Sequence, residues 1–281
     1  MVTNETGVHM QSAAIKLNAG PTNDVVLSVR GVSKTYGSGR DGRLVLDGVN
    51  VEVERGEFVC IVGPSGAGKT TLIRCMAGLM RPSAGTVQLD EALVESPPEG
   101  LAVVFQDYSR SLLPWMSIAG NVRLPLRGKG IPKKEQTARV SEALEAVNLG
   151  HTAEQYPWQL SGGMQQRVAI ARALASNPEA LLMDEPFASV DAQTRSELED
   201  LILGVRAQYG VTVVLVTHDI DEAVYLSDRI VVLSGSPTHV KEVIAVELGT
   251  TRSQMETKAT PTFARLRTHV LGLITKQQTP V

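Results

Sequence analysis

The sequence predicts an α/β protein with a mixed sheet core, an antiparallel β subdomain and an inserted α-helical subdomain. Alternating segments at Leu27–Val29 and Val49–Val53 indicate half-exposed antiparallel strands. Unbroken apolar runs follow them, of the kind that is buried on both faces of a parallel sheet. These runs are Phe58–Val62, Leu101–Phe105, Ala180–Met183, Val211–Val216 and Ile230–Leu233.

The helical subdomain is expected at about residues 107–177, between the second and third of these runs. Pro132 begins a helix whose apolar positions, including Val140 and Leu144, recur at helical spacing. Ser161 is expected to be the N-cap of a further helix. A helical insertion therefore interrupts the parallel sheet.

The remaining segments flank a main domain predicted to span residues 24–248. Residues 1–23 are polar and aperiodic, which predicts a flexible N-terminal segment. Residues 249–281 form a short helical extension with apolar positions at helical spacing, namely Phe263, Leu266, Val270 and Ile274. We expect this extension to pack on the main body or on a partner subunit, and the sequence leaves both open.

Composition favours a soluble globular protein and no nucleic-acid partner. The 281 residues carry a net charge of −3, so no broad positive field is available to attract nucleic acid. No apolar stretch approaches the ~20 residues that cross a bilayer, and no secretory signal is visible. Cys60 and Cys75 lie in apolar segments, which predicts buried free thiols in a reducing compartment. We expect a cytoplasmic location.

A glycine-rich loop follows the first apolar run and precedes a helix that includes Thr71. Its residues are Gly63, Pro64, Ser65, Gly66, Ala67, Gly68, Lys69 and Thr70. The loop fits the P-loop pattern, in which glycines let several N–H groups point at one phosphate and the helix dipole adds positive charge. Lys69 is expected to reach the β- and γ-phosphates of ATP, and the Thr70 hydroxyl to bind Mg²⁺.

Two adjacent acids, Asp184 and Glu185, end a later apolar strand. Because side chains alternate along a strand, the two carboxylates are expected to point to different sides. One can hold Mg²⁺, usually through water, and the other can polarise a water that attacks the γ-phosphate. An acidic strand end by itself also fits a solvated loop. Beside the P-loop, the pair Asp184 and Glu185 is expected to be the partner of the phosphate site, with one acid for the metal and the other for catalysis.

The segment Leu160-Ser161-Gly162-Gly163-Met164 resembles the signature of the ABC-type ATPases, which reads Leu-Ser-Gly-Gly-Gln. Met164 departs from the glutamine, whereas the serine and both glycines match. A serine-capped, glycine-lined helix N-terminus suits close approach to an anion. The resemblance implies a P-loop NTPase fold of the ABC type. It also implies a head-to-tail homodimer, in which this helix contacts the ATP held by the other subunit's P-loop.

The rest of that family's pattern matches in order from about residue 25 to residue 233. Tyr36 corresponds to the aromatic residue that stacks on adenine, and Gln106 to the glutamine that senses Mg²⁺ and the attacking water. Asp191 corresponds to the loop that communicates across the dimer, and His218 to the switch histidine that contacts the γ-phosphate. Taken singly, Tyr36 and His218 also fit ordinary packing and hydrogen bonding.

The chain is similar to one subgroup of that family, the ATPases of bacterial importers for nitrate, sulfonates, taurine and related small anions. Leu112–Val122, Asp184–Phe187 and Pro261–Arg267 carry the likeness. It implies two integral membrane permease subunits, an extracytoplasmic solute-binding protein and a peripheral position on the cytoplasmic face of the membrane. The motor does not touch the solute, so importers of thiamine-precursor pyrimidines or other small organic ions remain alternatives.

The segment after Gln106 receives a short cytoplasmic helix of the membrane subunit in that family. The candidates for this contact are Tyr108, Leu112, Leu113 and Trp115. Core packing is the alternative interpretation for each of them.

Two other classes of protein carry P-loops. A soluble ABC protein of translation or DNA repair usually has two cassettes or a long coiled coil, and this chain has neither. A P-loop kinase transfers the phosphoryl group to a bound acceptor. The paired Asp184 and Glu185 and the Ser161 signature favour hydrolysis over such transfer.

Overall fold

The computed structural model describes residues 24–37, 42–107 and 111–275, so the predicted flexible segment 1–23 lies outside the described residues. The strands are β1 (Val25–Tyr36), β2 (Arg43–Glu54), β3 (Phe58–Val62), β4 (Ala84–Leu89), β5 (Ala92–Leu93), β6 (Leu101–Val104), β7 (Ala180–Asp184), β8 (Thr212–Val216), β9 (Arg229–Leu233) and β10 (Val240–Ala245). The α-helices are α1 (Lys69–Met76), α2 (Ile118–Arg123), α3 (Lys133–Ala146), α4 (Gly162–Ala175), α5 (Ala192–Tyr209), α6 (Ile220–Leu226) and α7 (Pro261–Thr275). Short 3₁₀ turns lie at Leu124–Leu126, Gly150–Thr152 and Pro157–Gln159.

The described strands form two sheets. The four-stranded sheet has the order β2-β1-β4-β5 and is antiparallel. The six-stranded sheet has the order β10-β9-β3-β8-β7-β6, and it is parallel except between β10 and β9. The α/β class, the mixed sheet and the antiparallel subdomain predicted from the sequence are therefore confirmed.

Strand β3 shows how the six-stranded sheet is buried on both faces. Phe58, Cys60 and Val62 pack into the apolar cluster that contains the inserted helices and α5. Val59 and Ile61 pack into a second cluster, with α1 and the four-stranded sheet. Side chains alternate along a strand, so a run without polar residues needs a cover on each side. The carboxyl ends of β3, β7 and β8 then meet at one edge of the sheet, where ligands bind in open α/β folds.

The helical insertion lies between β6 and β7, which are parallel neighbours in the sheet. Its helix α3 begins one residue after Pro132, and Val140 and Leu144 are buried as predicted. Ser161 is the N-cap of α4, because its Oγ accepts a hydrogen bond from Met164 N at 3.3 Å. The predicted cap is confirmed.

Phe105 was expected inside the second parallel strand and instead lies beyond its end. Val104, the last residue of β6, is paired with Met183. The next β7 residue, Asp184, is paired with β8 alone, so Phe105 has no neighbouring strand on the β7 side. It leaves the sheet and its side chain is exposed.

The prediction that Leu112 contacts a membrane subunit is wrong. Leu112 is only 2% exposed and belongs to the same apolar cluster as the inserted helices. The buried Asn121 binds both the N–H and the C=O of Leu113, at 2.7 and 3.1 Å, which holds this segment against α2. Trp115 is 73% exposed, Leu113 is half-buried, and Tyr108 lies outside the described residues.

The C-terminal helix α7 packs on the chain's own main body, against α6 and β9. Phe263 and Val270 are buried, and Arg267 Nε lies 2.7 Å from Asp221 Oδ1 in the first turn of α6. The sequence left open whether the extension packs on the main body or on a partner subunit. The described part of it packs on the main body of its own chain.

The two cysteines and the helix lengths bear on the expectations from composition. Cys60 and Cys75 are buried and free, as predicted. Burial raises the pKa of both thiols, so neither is activated as a thiolate.

Within residues 24–37, 42–107 and 111–275, no helix combines the length and the apolar character that a membrane crossing requires.

Candidate nucleotide-binding site

The glycine-rich loop connects the end of β3 to the start of α1. Gly66 and Gly68 have φ of 77° and 73°, a left-handed conformation that glycine adopts without steric cost. A Cβ at position 68 would also lie 2.7 Å from Val45 Cγ1 on β2. Two separate reasons therefore require glycine at position 68: the left-handed backbone of the loop and the close approach of β2.

Lys69 is the first residue of α1 and is nearly buried. Its Nζ donates to the carbonyl oxygens of Gly63 at 2.9 Å and of Pro64 at 3.2 Å, across the interior of the loop. Burial lowers the pKa of this ammonium group, while the charges of Glu185 and Asp184 raise it. A phosphate oxygen is a stronger acceptor than these carbonyls and can take their place.

Asp184 and Glu185 lie at the carboxyl end of β7, opposite the loop. Thr70 Oγ1 donates to Asp184 Oδ1 at 3.4 Å, and burial raises the pKa of this carboxyl group. Glu185 has φ of 45°, in the left-handed region, where a residue with a side chain is strained by about 1 kcal/mol or more. Its backbone N–H donates to Val216 O at 2.8 Å, and its carboxylate contacts His218, whereas the carboxylate of Asp184 contacts Thr70.

His218 follows β8 and meets the second of these acids. Its Nδ1 lies 3.0 Å from Glu185 Oε2, with the carboxylate as acceptor. The next residue, Asp219, is the N-cap of α6 and accepts from Asp221 N at 2.8 Å and Glu222 N at 3.2 Å. The cap fixes where the helix begins, and thereby where the histidine leaves the sheet.

These groups line one open cleft of about 760 Å³. Its lining residues are Tyr36, Arg43, Val45, Ser65, Gly66, Ala67, Gly68, Lys69, Thr70, Thr71, Glu185 and His218. The Tyr36 hydroxyl lies 3.2 Å from Thr71 Oγ1, so the aromatic ring is placed beside the first turn of α1. Gly63 and Pro64 carry the carbonyls that bind Lys69, and Asp184 lies behind Thr70.

Arg43 and Val45 line the cleft and were not identified from the sequence. They lie on β2, whose register sets Arg43 directly opposite Tyr36 on β1. The alternating pattern of β2 indicated a strand, but it did not indicate which β2 residue pairs with Tyr36, because the length of the connection between β1 and β2 was not known from the sequence. The cleft therefore has a second wall beside Tyr36, with a cation and a β-branched residue.

The remaining predicted site residues form a separate group, away from the lining of this cleft. Ser161, Gly162 and Gly163 lie at the N-terminus of α4, and Asp191 caps α5 by accepting from Thr194 N at 3.0 Å and Thr194 Oγ1 at 2.7 Å. Those hydrogen bonds lower the pKa of Asp191.

These two helix N-termini touch each other closely. A Cβ at Gly163 would lie 2.4 Å from Thr194 Cγ2, and Arg167 Nη2 pairs with Glu197 Oε2 at 3.1 Å. Gln106 is exposed just after β6 and also lies outside the cleft lining. The structure thus divides the predicted site into a cleft and a pair of joined helix ends.

A buried strand, a glycine-rich loop opening a helix and two acids at the end of β7, which is separated from β3 by β8 alone, are the features of a P-loop nucleotide-binding ATPase. The sequence model of the family "ABC transporter" matches residues 46–188, which is more than half of the chain. The chain therefore belongs to the ABC transporter family and is an ATPase of that family.

Named relatives and a solved structure are similar over most of the chain. The taurine import ATP-binding protein TauB of Sinorhizobium fredii is 45% identical over 242 residues, which cover 84% of this chain and 90% of that protein. The nitrate import ATP-binding protein NrtD of Synechococcus elongatus is 38% identical over 266 residues, covering 94% and 96%. A dimeric post-hydrolysis structure of the ATP-binding cassette MJ0796 bound to ADP and Pi aligns with a TM-score of 0.68 at 35% identity, covering 79% of this chain and 99% of that one.

Proposed function

We propose that the chain is the ATP-hydrolysing motor of an importer that takes up a small anion through separate membrane subunits. The observation that carries the ATPase part is the cleft that joins Lys69, Glu185 and His218. The importer part is supported by the likeness to import proteins for taurine and nitrate, which are both small and anionic or zwitterionic. The solute itself is not contacted by this chain in the proposal.

In the proposed reaction, the P-loop and Lys69 bind the phosphates of ATP, and Tyr36 stacks on the base. Glu185 accepts a proton from the attacking water, or orients it, and His218 holds the γ-phosphate from the other side. The 3.0 Å contact between these two side chains keeps both at the mouth of the cleft. ATP enters by replacing the carbonyl acceptors of Lys69.

Thr70 and Asp184 fit Mg²⁺, because a hydroxyl and a carboxylate oxygen lie 3.4 Å apart beside the loop. The two residues would hold the ion, which would supply positive charge against the phosphoryl oxygens. Gln106 is proposed as a further oxygen donor near this point. The protein's own part is to present these oxygens and to keep Glu185 free for the water.

We propose a homodimer in which Ser161, Gly162 and Gly163 of one chain contact the ATP of the other. Within one chain these residues lie away from the cleft lining, although a glycine-lined helix N-terminus suits an anion. Asp191 lies beside them and would communicate between the two clefts. The dimeric structure of the similar cassette supports this assembly.

The proposed surface for the membrane subunits lies on the helical insertion. Trp115 and Trp158 are 73% and 71% exposed, and the Trp158 ring stacks on Tyr156 with centroids 6.2 Å apart. Ile118 N donates to Gln155 O at 2.7 Å, so the segments that carry these aromatic residues run side by side. Exposed tryptophans on adjacent segments favour a protein contact. The location would then be peripheral, on the cytoplasmic face of the membrane.

The test is purification of the tagged chain from detergent-solubilised membranes of its host, followed by identification of what accompanies it. A multi-span membrane protein in about equal amount is expected, and the Trp115→Ala, Trp158→Ala double variant should lose it. Met255→Ala is the matched control, because Met255 is 84% exposed on the C-terminal extension. Recovery without any membrane protein would overturn the importer proposal. Hydrolysis of ATP by the purified chain is expected without any added acceptor.

A further inference from the structure

Thr238 lies behind the phosphate-binding loop, in the turn between β9 and β10. The turn is closed by a hydrogen bond from Ser234 N to His239 O at 2.9 Å. Thr238 is fully buried, and its Oγ1 donates to the carbonyl oxygen of Ala67 at 2.6 Å. Ala67 lies in the glycine-rich loop, so a residue 171 positions away in the sequence is bonded directly to it.

The backbone of Thr238 is bonded to the other wall of the cleft. Thr238 N donates to Val45 O at 2.9 Å, and Asp47 N donates to Thr238 O at 2.8 Å, so Thr238 forms a parallel bridge with Leu46 of β2. Val45 lines the cleft next to Gly68. One buried residue therefore joins the strand beside Tyr36 to the loop that binds phosphate.

The bond to Ala67 also fixes the direction of a neighbouring N–H group. The peptide unit between Ala67 and Gly68 is planar and trans, so its C=O and its N–H point in opposite directions. The C=O points at Thr238 behind the loop, and Gly68 N–H consequently points towards the cleft that Gly68 lines. Within the described residues, no protein acceptor is bonded to Gly68 N–H.

We propose that Thr238 is a positioning residue for nucleotide binding, which orients the Ala67–Gly68 peptide towards phosphate and sets the distance from the phosphate loop to β2. It acts through the loop and does not touch the nucleotide. The inference rests on nucleotide binding in the cleft and is independent of the importer assignment.

The test replaces the hydroxyl while keeping the shape of the side chain. Thr238→Val leaves the Ala67 carbonyl buried without its donor and frees the peptide to rotate, and a net hydrogen bond of this kind is worth about 5- to 10-fold in an equilibrium. We expect the Kd for ADP and the KM for ATP to rise about 5- to 10-fold, with kcat within about twofold. Thr238→Ser, which keeps the hydroxyl, should restore both constants.

Thr152→Val is the matched control. Thr152 is fully buried and its Oγ1 donates to a backbone carbonyl, Leu149 O, at 2.8 Å, but it lies in the helical insertion. It should lose a similar amount of stability in urea unfolding without a change in the Kd for ADP. If Thr238→Val unfolds, Thr238→Ala gives the same comparison. An unchanged Kd for ADP in a folded Thr238 variant without the hydroxyl would overturn the proposal, because it would leave Thr238 a purely structural role.

Discussion

The two parts of the candidate site differ in how much of their surroundings the chain supplies. The cleft is lined by β1, β2, the glycine-rich loop, the start of α1 and the residues that follow β7 and β8. Its polar groups bind one another: Lys69 donates to the loop carbonyls, Thr70 donates to Asp184, and His218 contacts Glu185. The joined ends of α4 and α5 contact each other through Gly163 and Thr194 and through the Arg167–Glu197 ion pair, and they are not part of the cleft lining.

The difference indicates a division of labour. In our proposal Lys69 is the cation for phosphate and Glu185 the carboxylate for water, so nucleotide binding and the chemical step are assigned to the cleft. The helix ends offer a glycine-lined N-terminus whose residues are not part of the cleft lining. In our proposal they act on the nucleotide of a second copy. Changes in the cleft should therefore alter binding or chemistry outright, and changes at the helix ends should alter turnover alone.

The largest expected effect follows from Glu185→Gln. The amide still accepts a hydrogen bond from His218 but no longer takes a proton, and loss of a general base costs about 100- to 10,000-fold. Steady-state ATP hydrolysis is expected to fall at least about 100-fold, while the Kd for ATP, measured by calorimetry, stays within about threefold of wild type.

Lys69→Ala should affect nucleotide binding, whereas Glu185→Gln should affect hydrolysis. It removes the ammonium group that binds the loop carbonyls and is expected to weaken nucleotide binding itself. If Glu185→Gln hydrolysed ATP at a rate near that of wild type, Glu185 would not be the catalytic carboxylate. If Lys69→Ala bound ATP normally, the phosphate site would lie elsewhere.

An intermediate effect is expected from Gly163→Ala, at the helix ends. The new methyl would lie 2.4 Å from Thr194 Cγ2, and overpacking of this kind costs about 1–3 kcal/mol or moves the two helices apart. We expect ATP turnover to fall about 10-fold, with the Kd for ADP unchanged because the cleft is not altered.

The second variant that tests this contact is Thr194→Ser. It deletes the clashing Cγ2 and keeps the hydroxyl that Asp191 accepts from. Thr194→Ser alone should be near wild type, and the Gly163→Ala, Thr194→Ser double variant should regain most of the turnover. If the double variant turned over ATP as slowly as Gly163→Ala, the loss of turnover would not be caused by the clash between the new methyl and Thr194.

Residues in continuous motifs were located from the sequence, and residues placed by distant pairing were not. The glycine-rich loop and the Ser161 cap depend on local backbone chemistry, which the order of residues specifies. Arg43 faces the cleft because of the β1–β2 register, and Thr238 reaches Ala67 only through the β9–β10 turn. No local pattern encodes either placement.

Apolar residues in the helical insertion were the hardest to assign. Leu112 and Trp115 are three positions apart in one segment, yet one is buried and the other is exposed. The burial of Leu112 depends on the amide of Asn121, which fixes the neighbouring backbone. Trp158, as exposed as Trp115, was not singled out, since an exposed aromatic residue has the same sequence pattern as a core one.

The smallest expected effect concerns Glu222, in the connection between the two parts. Arg195 on α5 donates to Asp219 Oδ2 at 3.1 Å, beside His218, and to Val190 O at 3.5 Å, beside Asp191. Glu222 Oε1 lies 3.7 Å from the same guanidinium group, and its Oε2 accepts from Thr217 Oγ1 at 2.6 Å.

Burial is the main reason why the pKa of Glu222 is raised from 4.5 to about 7. The nearby carboxylates of Asp219 and Glu199 raise it further, whereas the hydrogen bond from Thr217 lowers it. Arg195 is the cation that lowers it. A carboxyl group with a raised pKa binds its proton more tightly when folded, so stability is lost as the pH rises from about 4.5 through about 7. From pH 5.5 to pH 8.5 this loss is on the order of 2 kcal/mol.

Glu222→Gln removes this titration while keeping an acceptor for Thr217. The free energy of unfolding in urea should therefore fall less for the variant than for the wild type between pH 5.5 and pH 8.5. Glu95→Gln, at an exposed position, is the control and should follow the wild type. Equal pH dependence of Glu222→Gln and wild type would mean that Glu222 is already ionised in the fold. Arg195 and Glu222 would then form an ion pair throughout the range from pH 5.5 to pH 8.5, and no proton would titrate in the connection between the cleft and the helix ends.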